Sequence, residues 1–262
     1  MFNADGLLPA LSLSLAAGDG GMHEFALPYT IEEQTAERIT FVFVSADGLV
    51  VRRSYSLAQG EAAQDPYIIR HRTTFGNQAT AAQALSTIYL NLGTARPISE
   101  EQQAAFLNVG YYDGEDSEFI AINKLTGSNG VLGIGASAPK DKIVQAGRSQ
   151  WTSVKNQFFA AVLSSETEGN ELIVYPVEAP ATADGARARP GITASVGYPL
   201  GTLAPGGSEA LEFDFYVGPK EFKRLQALGN HQDDVMQFGF LSVISKLLLS
   251  FMYAIHALGA SW

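Results

Sequence analysis

Cysteine is absent from the 262 residues, so disulfides, thiolate metal sites and thiol nucleophiles are excluded. Charged residues are scarce at 17%, and acidic residues outnumber basic ones by 27 to 17, which gives a net charge of −10. Lysine and arginine form no cluster, although binding to nucleic-acid phosphates requires one. The sequence therefore predicts no nucleic-acid partner.

Catalytic and metal-binding motifs are also missing. The four histidines, His23, His71, His231 and His256, lie far apart, and none has a second ligand at the spacing H-x-x-x-H or H-E-x-x-H. No G-x-S-x-G elbow is present, and the glycines of 127–135 lack the Lys-Ser/Thr pair of a phosphate-binding loop. We therefore expect no catalytic residue, no cofactor and no metal site, and we interpret His71 as a half-buried strand residue.

Two clusters suggest a binding site but have a simpler interpretation. The acidic run DGEDSE at 113–118 lacks the spacing of a calcium loop, which favours a solvated loop. Tyr111, Tyr112 and Trp151 are residue types that stack on sugar rings, but aromatic side chains of β proteins usually pack in the core. We expect the three aromatics to be buried.

Most of the chain has the alternation of apolar and polar residues that is typical of β-strands. Asp47-Gly48 is a strong signal for a hairpin turn between two such segments. The pattern at 151–163 instead suggests a helix that runs into a strand, and 99–106 begins with a capping-box pattern. The predicted strands are 11–15, 39–44, 50–57, 67–74, 84–91, 119–123, 131–134, 172–177, 192–198 and 210–217. Strands at this spacing predict an all-β sandwich in one large domain.

The pattern changes from strand to helix near residue 219. Pro219 is suited to the first turn of a helix, and Phe222, Leu225 and Leu228 then recur at helical spacing. Gly229 is placed to cap that helix. We predict three segments: a β domain at 1–218, a short helix and connector at 219–236, and an amphipathic helix at 237–262.

The last segment has a wide apolar face. The apolar face comprises Phe240, Ile244, Leu247, Leu248, Phe251, Ile255 and Leu258. The opposite face comprises Ser242, Ser245, Lys246, Ser250, Tyr253 and His256. One interpretation is a helix folded back on the protein's own core, and another is a transmembrane span, which the polar residues disfavour. We predict that the helix lies at a membrane interface, because so wide an apolar arc beside a polar face is typical of interfacial helices.

The start of the sequence gives no sign of a secretory signal. Residues 1–17 have no basic stretch followed by an apolar block, and their leucines alternate with serine. If the protein is exported, we expect its targeting segment to lie upstream of this sequence.

Three stretches of the chain carry a family resemblance. In 215–262, FYVGP, a short helix, Phe238-Gly239 and the amphipathic helix with Ile255-His256 follow in order. The other two stretches are 147–162, GRSQW through QFFAAV, and the hairpin region 35–76. They resemble the large periplasmic domain of the YidC (Oxa-type) membrane protein insertase family, in which 147–162 is similar to the segment that enters a central strand and 35–76 fits an early hairpin. The resemblance is most specific at 215–262 and covers most of the chain.

This resemblance implies a β-supersandwich, a galactose-mutarotase-like fold, with short C-terminal helices. It also implies a non-enzymatic module on the periplasmic side of the bacterial inner membrane, which supports insertion and folding of membrane proteins. The implied partners are the lipid interface, nascent membrane proteins and Sec translocon accessory subunits. The first transmembrane helix and the membrane bundle of the family have no counterpart in these residues, so we do not expect this chain alone to insert proteins.

The same fold also suggests a rival function, that of a carbohydrate-binding or epimerase-like domain. Such a domain requires a histidine and a carboxylate that converge on one sugar. His71 is the strand histidine available for the acid role.

Without lipid, we expect the apolar helix face to be covered by the β body or by a neighbouring chain.

Overall fold

Antiparallel strands account for most of the computed structural model, which describes residues 9–16, 22–58, 65–98, 104–127, 137–178, 190–238, 248 and 251–252. The strands are β1 Leu13–Ala16, β2 Met22–Glu24, β3 Thr30–Gln34, β4 Arg38–Val44, β5 Leu49–Leu57, β6 Ile68–Asn77, β7 Gln83–Leu85, β8 Ile88–Ala95, β9 Asn108–Tyr112, β10 Ser117–Ala121, β11 Ile143–Lys155, β12 Phe159–Val177, β13 Gly191–Tyr198, β14 Gly201–Leu203 and β15 Ser208–Pro219. The helices are α1 Asn123–Thr126, α2 Phe222–Ala227 and the 3₁₀ helices Ala104–Phe106 and Gln232–Met236.

The long hairpin β11–β12 joins two layers of the sheet. The first half of β12 pairs with β15, which continues through β6, β5 and β4 to β3. Its second half pairs with β13, which continues through β8 and β1 to β2. On the other side of the hairpin, the end of β11 pairs with β9, and β9 pairs with β10. Because a continuous hairpin belongs to both layers, the all-β supersandwich predicted from the sequence is confirmed.

Irregular pairing marks the place where the hairpin changes layer. The register between β11 and β12 shifts between Ala146 and Ser149 and again between Ser149 and Trp151. Gly147 has φ +135, a conformation that L side chains rarely adopt. A Cβ on Gly169 would lie 2.3 Å from Cγ1 of Val196. Bulges bend strands, and the absence of a side chain on glycine lets neighbouring strands approach closely. Both features are therefore consistent with a bend of the β11–β12 hairpin where it passes from one layer to the other.

The core lies between the two layers. It contains inward-facing residues of the first layer, among them Val51, Phe75 and Phe213, and residues of the second layer such as Leu90 and Val196. These five side chains are between 0% and 4% exposed. Burial on this scale is the main source of stabilisation in a domain of this size.

The structure corrects the helical part of the prediction that 151–163 is a helix running into a strand. Trp151 and Leu163 belong to two strands of a hairpin, and the turn forms at Asn156, whose Oδ1 accepts the backbone N–H groups of Phe158 and Phe159 at 3.0 and 2.9 Å. Trp151 through Lys155 are all buried, so the side chains on both faces of this half of β11 are covered. Its two edges pair with β9 and β12. Burial on every side removes the alternation that identifies a strand.

Other predicted elements agree with the structure or differ at their ends. The strands predicted at 39–44, 50–57, 192–198 and 210–217 are present, and Gly48 has the positive φ that the hairpin turn needs. The strand predicted at 84–91 is broken between β7 and β8. Pro219 ends β15 instead of beginning a helix. The strand predicted at 131–134 lies outside the described residues.

The chain divides into two compact units, Met1–Pro219 and Lys220–Trp262. The first contains both sheet layers, and the second contains α2 and the 3₁₀ helix Gln232–Met236. Within the second unit, the rings of Phe222 and Phe238 make an edge-to-face contact at 5.8 Å. We retain as a prediction the division into a β domain at 1–218, a short helix and connector at 219–236, and an amphipathic helix at 237–262.

Candidate functional site

The predicted membrane-interface residues lie mostly outside the described part of the chain. Phe240, Ile244, Leu247, Ile255 and Leu258 cannot be placed for this reason. Two members of the set are described: Leu248 and Phe251 are helical, and their side chains are 54% and 61% exposed. The expectation that the β body or a neighbouring chain covers the apolar face stays a prediction.

The short helix before this segment has the buried side that its spacing predicts. Phe222 and Leu225 of α2 are buried, and Leu228 at its end is half-buried. Gly229 has φ +77, the left-handed conformation expected of a residue that ends a helix. The polar connector predicted after it is the 3₁₀ helix Gln232–Met236, in which Val235 is fully buried.

His71 lies in the core of the first unit and not at a sugar-binding surface. It is 1% exposed and more deeply buried than the sequence suggests. Its ring is stacked with Tyr55 at a centroid distance of 4.4 Å and with Phe213 at 5.9 Å. Inward-facing positions on three neighbouring strands, β5, β6 and β15, hold these three side chains together.

The hydrogen bonds of His71 determine its tautomer. Nδ1 lies 3.1 Å from the carbonyl oxygen of Ser54, which can only accept, so Nδ1 carries the proton. Nε2 is then the acceptor, with Thr73 Oγ1 at 2.9 Å and Arg53 Nη2 at 3.2 Å. Burial and, to a smaller extent, the neighbouring Arg53 cation together lower the pKa of His71 to about 3, against a smaller opposing effect of the Ser54 bond. His71 is therefore neutral near pH 7.

These neighbours do not match the acid of an epimerase-like site. In the described part of the chain, the polar partners of His71 are Arg53, Ser54 and Thr73, and none of them is a carboxylate. A pKa of about 3 makes the neutral ring a poor proton donor near pH 7. The acid role that the rival function gives to His71 has no support in this geometry.

Arg53 links the two layers next to His71. Its Nη2 donates to the carbonyl oxygen of Leu11, which precedes β1 in the second layer. Leu11 has φ +61, unusual for a leucine, and its N–H donates to Asn91 O at 2.7 Å. The guanidinium also lies over the ring of Tyr55, at 5.5 Å from its centroid. Arg53 thus holds a strained connection in place between β5 and β1.

A groove lies where β11 leaves the end of β9. Its volume is about 280 Å³. We call it the edge groove, and it is lined by Tyr111, Asp113, Glu115, Glu118, residues 145–149 and Leu172. The acidic residues come from the turn between β9 and β10 and from β10 itself, and 145–149 form the irregular part of β11. The three aromatics of this region, Tyr111, Tyr112 and Trp151, are buried as predicted.

The edge groove is predominantly acidic. Tyr111 Oη donates to Glu118 at 3.1 Å, and Asp113 accepts the backbone N–H groups of Glu115 and Asp116 at 2.8 Å. Burial and, next in size, the bond to Glu118 together raise the pKa of Tyr111 to about 12. Backbone hydrogen bonds hold the pKa of Asp113 below its ordinary value. Asp113 is thus ionised near pH 7, and the phenol of Tyr111 stays protonated.

Sequence reasoning identified the acidic run but not the groove. The run at 113–118 was predicted to be a solvated loop, and the turn of this hairpin does contain exposed residues, Glu115 and Asp116. The groove also needs 145–149, which lie thirty residues further along the chain. The signal available in the sequence was Gly147 followed by Arg148 inside a strand pattern, since an isolated glycine in a strand often marks a bulge.

Among the described residues, no group of three or more histidine, aspartate or glutamate side chains is arranged to hold a metal ion. No helix in the described ranges is long and apolar enough to cross a membrane.

Among solved structures, the chain is similar to a galactose mutarotase-like protein from Clostridium acetobutylicum. The two are 12% identical with a TM-score of 0.42, and the match covers 79% of this chain and 75% of that one. At this TM-score the likeness says nothing about a ligand or an activity. Among sequences, the chain is 25% identical over 243 residues to the membrane protein insertase YidC of Bordetella avium. This alignment covers 91% of this chain and 39% of that protein.

A shorter match is more similar. Over 64 residues the chain is 36% identical to the membrane protein insertase YidC of Janthinobacterium sp. (strain Marseille), which covers 24% of this chain and 11% of that protein. The chain thus spans well under half the length of these relatives. The family model of the YidC periplasmic domain matches residues 20–251, which is most of the sequence. The chain belongs to the YidC periplasmic domain family.

Proposed function

We propose that this chain is the periplasmic, non-enzymatic module of a YidC-type insertase, on the periplasmic side of the bacterial inner membrane, and that it supports insertion and folding of membrane proteins. The observation that carries the proposal is the family match over residues 20–251. The relative from Bordetella avium, which bears the name membrane protein insertase, aligns with 91% of the chain. Because the chain spans 39% of that relative, the insertion step itself is assigned to the longer protein.

The proposed partners follow from this placement. They are the lipid interface, nascent membrane proteins and accessory subunits of the Sec translocon. The β domain at 1–218 supplies the protein-binding surface, 219–236 connects it to the membrane, and 237–262 forms the interfacial helix. The net charge of −10 disfavours adsorption of the β domain to anionic lipid, so the helix supplies the membrane contact.

The helix binds by burying its apolar face among the lipid headgroups. Lys246 and His256 lie on the opposite face, where they remain near water. Leu248 and Phe251 are the members of the apolar face whose exposure is described, at 54% and 61%, and they are therefore the positions to test. Burial in the interface stabilises binding by about 0.8 kcal/mol for each methylene removed from water.

Liposome flotation tests the membrane contact. The test variant carries Leu248→Glu and Phe251→Glu on the apolar face. The control carries Ser245→Glu and Ser250→Glu, which make the same change in charge on the polar face. We expect the wild-type chain and the control to float with zwitterionic liposomes, and the test variant to bind at least about tenfold more weakly, because two buried apolar side chains contribute about 3 to 6 kcal/mol.

Two outcomes contradict the interfacial helix. One is a wild-type chain that stays at the bottom of the gradient. The other is equal flotation of the test and control variants. Circular dichroism of each variant shows whether the β domain remains folded.

Photo-crosslinking tests the contact with nascent proteins. A photoreactive amino acid is placed at Ile31, Val144 or Phe158, which are apolar and 56%, 47% and 54% exposed. We expect crosslinks, in cells that express the full-length insertase, to a ribosome-stalled inner-membrane protein and not to a stalled soluble protein. Absence of crosslinks from all three positions, or equal crosslinking to both nascent chains, contradicts the supporting role.

A further inference from the structure

The upstream half of β11 has a free edge in the described part of the chain. β9 pairs with Trp151 through Lys155 of β11 and ends at Tyr112, where the chain turns toward β10. β11 extends upstream to Ile143, and over this stretch its pairing within the described ranges is with β12 alone. One side of 143–149 therefore presents backbone donors and acceptors without a strand beside them.

The edge groove lies where β9 would continue if it did not turn. Its lining combines 145–149 of β11 with Asp113, Glu115 and Glu118 from the β9–β10 hairpin. A Cβ added to Gly147 would have no atom within 4 Å, so the space above the backbone is open at the centre of the groove. A volume of about 280 Å³ accommodates one or two side chains of an extended segment.

The charges of the groove favour a cation. Asp113, Glu115 and Glu118 contribute three carboxylates. Arg148 is the basic residue of the lining, and its Nη1 lies 3.8 Å from the carboxylate of Glu168. The net charge of the groove is therefore negative, and a lysine or arginine in a partner gains from entering it.

We propose that the edge groove binds an extended peptide segment of a partner protein, which adds as a strand beside 143–146 of β11 and places a lysine or arginine among Asp113, Glu115 and Glu118. Strand addition supplies main-chain hydrogen bonds that do not depend on the sequence of the partner. The carboxylates supply the preference for a basic residue. The residues of this site all belong to the first unit, so its binding can be tested without lipid.

The probe is a short fluorescent peptide of alternating valine and threonine with one central arginine. Its binding to the complete chain is measured by fluorescence anisotropy. A second peptide has glutamate in place of the arginine, and two more have backbone nitrogens methylated along one edge or the other. We expect binding of the arginine peptide, loss of binding when one of the two edges is methylated, and at least about tenfold weaker binding of the glutamate peptide.

Protein variants locate the site. Glu115→Gln with Glu118→Gln removes two carboxylates from the groove and keeps the acceptor for Tyr111. Glu37→Gln with Glu209→Gln makes the same change in charge at exposed positions outside it. We expect the groove variant to bind the arginine peptide about three- to tenfold more weakly, and the control to bind within twofold of the wild type, since each exposed ion pair contributes only modestly to binding.

Amide chemical shifts give a second readout. Addition of the arginine peptide is expected to shift the backbone resonances of 143–149 more than those of β3, which is another edge strand. The proposal is overturned if the arginine peptide does not bind, if neither of the two methylated peptides binds more weakly than the unmethylated one, or if the shifts fall on β3 and not on β11.

Discussion

The guanidinium Nη2 of Arg53 lies 3.2 Å from Nε2 of His71, in a part of the core where both side chains are at most 9% exposed. The same nitrogen donates to the carbonyl of Leu11 in the other layer. No carboxylate pairs with Arg53 in the described ranges. Its guanidinium instead forms hydrogen bonds to neutral acceptors and a cation–π contact with the ring of Tyr55. A buried cation held in this way costs desolvation energy, so its contribution to stability depends on the acceptors that it satisfies.

Replacing Arg53 by methionine is expected to lower the free energy of unfolding by about 1 to 3 kcal/mol. The substitution removes the desolvation cost, but it leaves the Leu11 carbonyl without its donor, and a charged hydrogen bond contributes about 1.5 to 3 kcal/mol. Urea denaturation measures the change. Hydrogen exchange at the Leu11 amide, which donates to Asn91 O, is expected to accelerate as the connection before β1 loosens.

The adjacent arginine provides the control. Arg52 lies on the opposite face of β5 and is paired with Glu32 at 3.0 Å, with both side chains partly exposed. Arg52→Met is expected to change stability by less than about 1 kcal/mol, because exposed ion pairs contribute little. Equal effects at the two positions would contradict the linking role of Arg53.

Stability is expected to fall between about pH 6.5 and pH 3 through His71. The folded state lowers the pKa of this ring to about 3, whereas an unfolded histidine titrates near 6.5. The unfolded chain therefore binds more protons in this window. The stabilising contribution is complete above about pH 6.5 and is lost as the pH falls toward 3, at up to about 1.4 kcal/mol per pH unit.

Comparison with His71→Gln separates this contribution from that of the carboxylates. Between about pH 6.5 and pH 5, the wild type is expected to lose about 1 to 2 kcal/mol more of its unfolding free energy than the variant does. The measurement is urea denaturation at each pH. His231→Asn serves as a control, because His231 is exposed in the connector and has the positive φ that asparagine tolerates. Parallel pH profiles for wild type and His71→Gln would show that His71 is not buried as a neutral ring.

Gly169→Ala is expected to destabilise the bend between the layers. The added Cβ would lie 2.3 Å from Val196 Cγ1 and 2.7 Å from Ser149 Oγ, so neighbouring side chains must move, at a cost of about 1 to 3 kcal/mol. Gly76→Ala is the matched control, since its Cβ would make ordinary contacts with Val50 at 3.9 to 4.0 Å. Thermal or urea unfolding compares them. A loss at Gly76 as large as that at Gly169 would contradict close approach as the cause.

The regular strands could be predicted from the sequence because their signals are local. Asp47-Gly48 fixes the turn between β4 and β5, and alternation of apolar and polar residues on either side identifies the strands. The all-β class and the family followed from the same stretches together with 215–262. These features depend on residues that are neighbours in the chain.

The sites could not be predicted in the same way. His71 was expected to be half-buried because a strand pattern shows alternation but not how many layers cover it, and the contacts from Arg53 and Phe213 come from other strands. The edge groove needs a turn at 113–116 to lie beside a bulge at 147, and no local pattern connects the two. The apolar face of 237–262 is the opposite case, since helical periodicity alone defines it.

By itself, the sequence determined the strands, the turns, the absence of cysteine chemistry and the amphipathic character of the last segment, because composition and short-range periodicity carry that information. Only the tertiary structure decided that 151–163 is a hairpin, that Arg53 reaches Leu11 across the layers, and that the free edge of β11 meets three carboxylates. The reason is physical: these relationships arise from pairing between strands that are far apart in the chain, and pairing of that kind is decided by packing of the whole sheet.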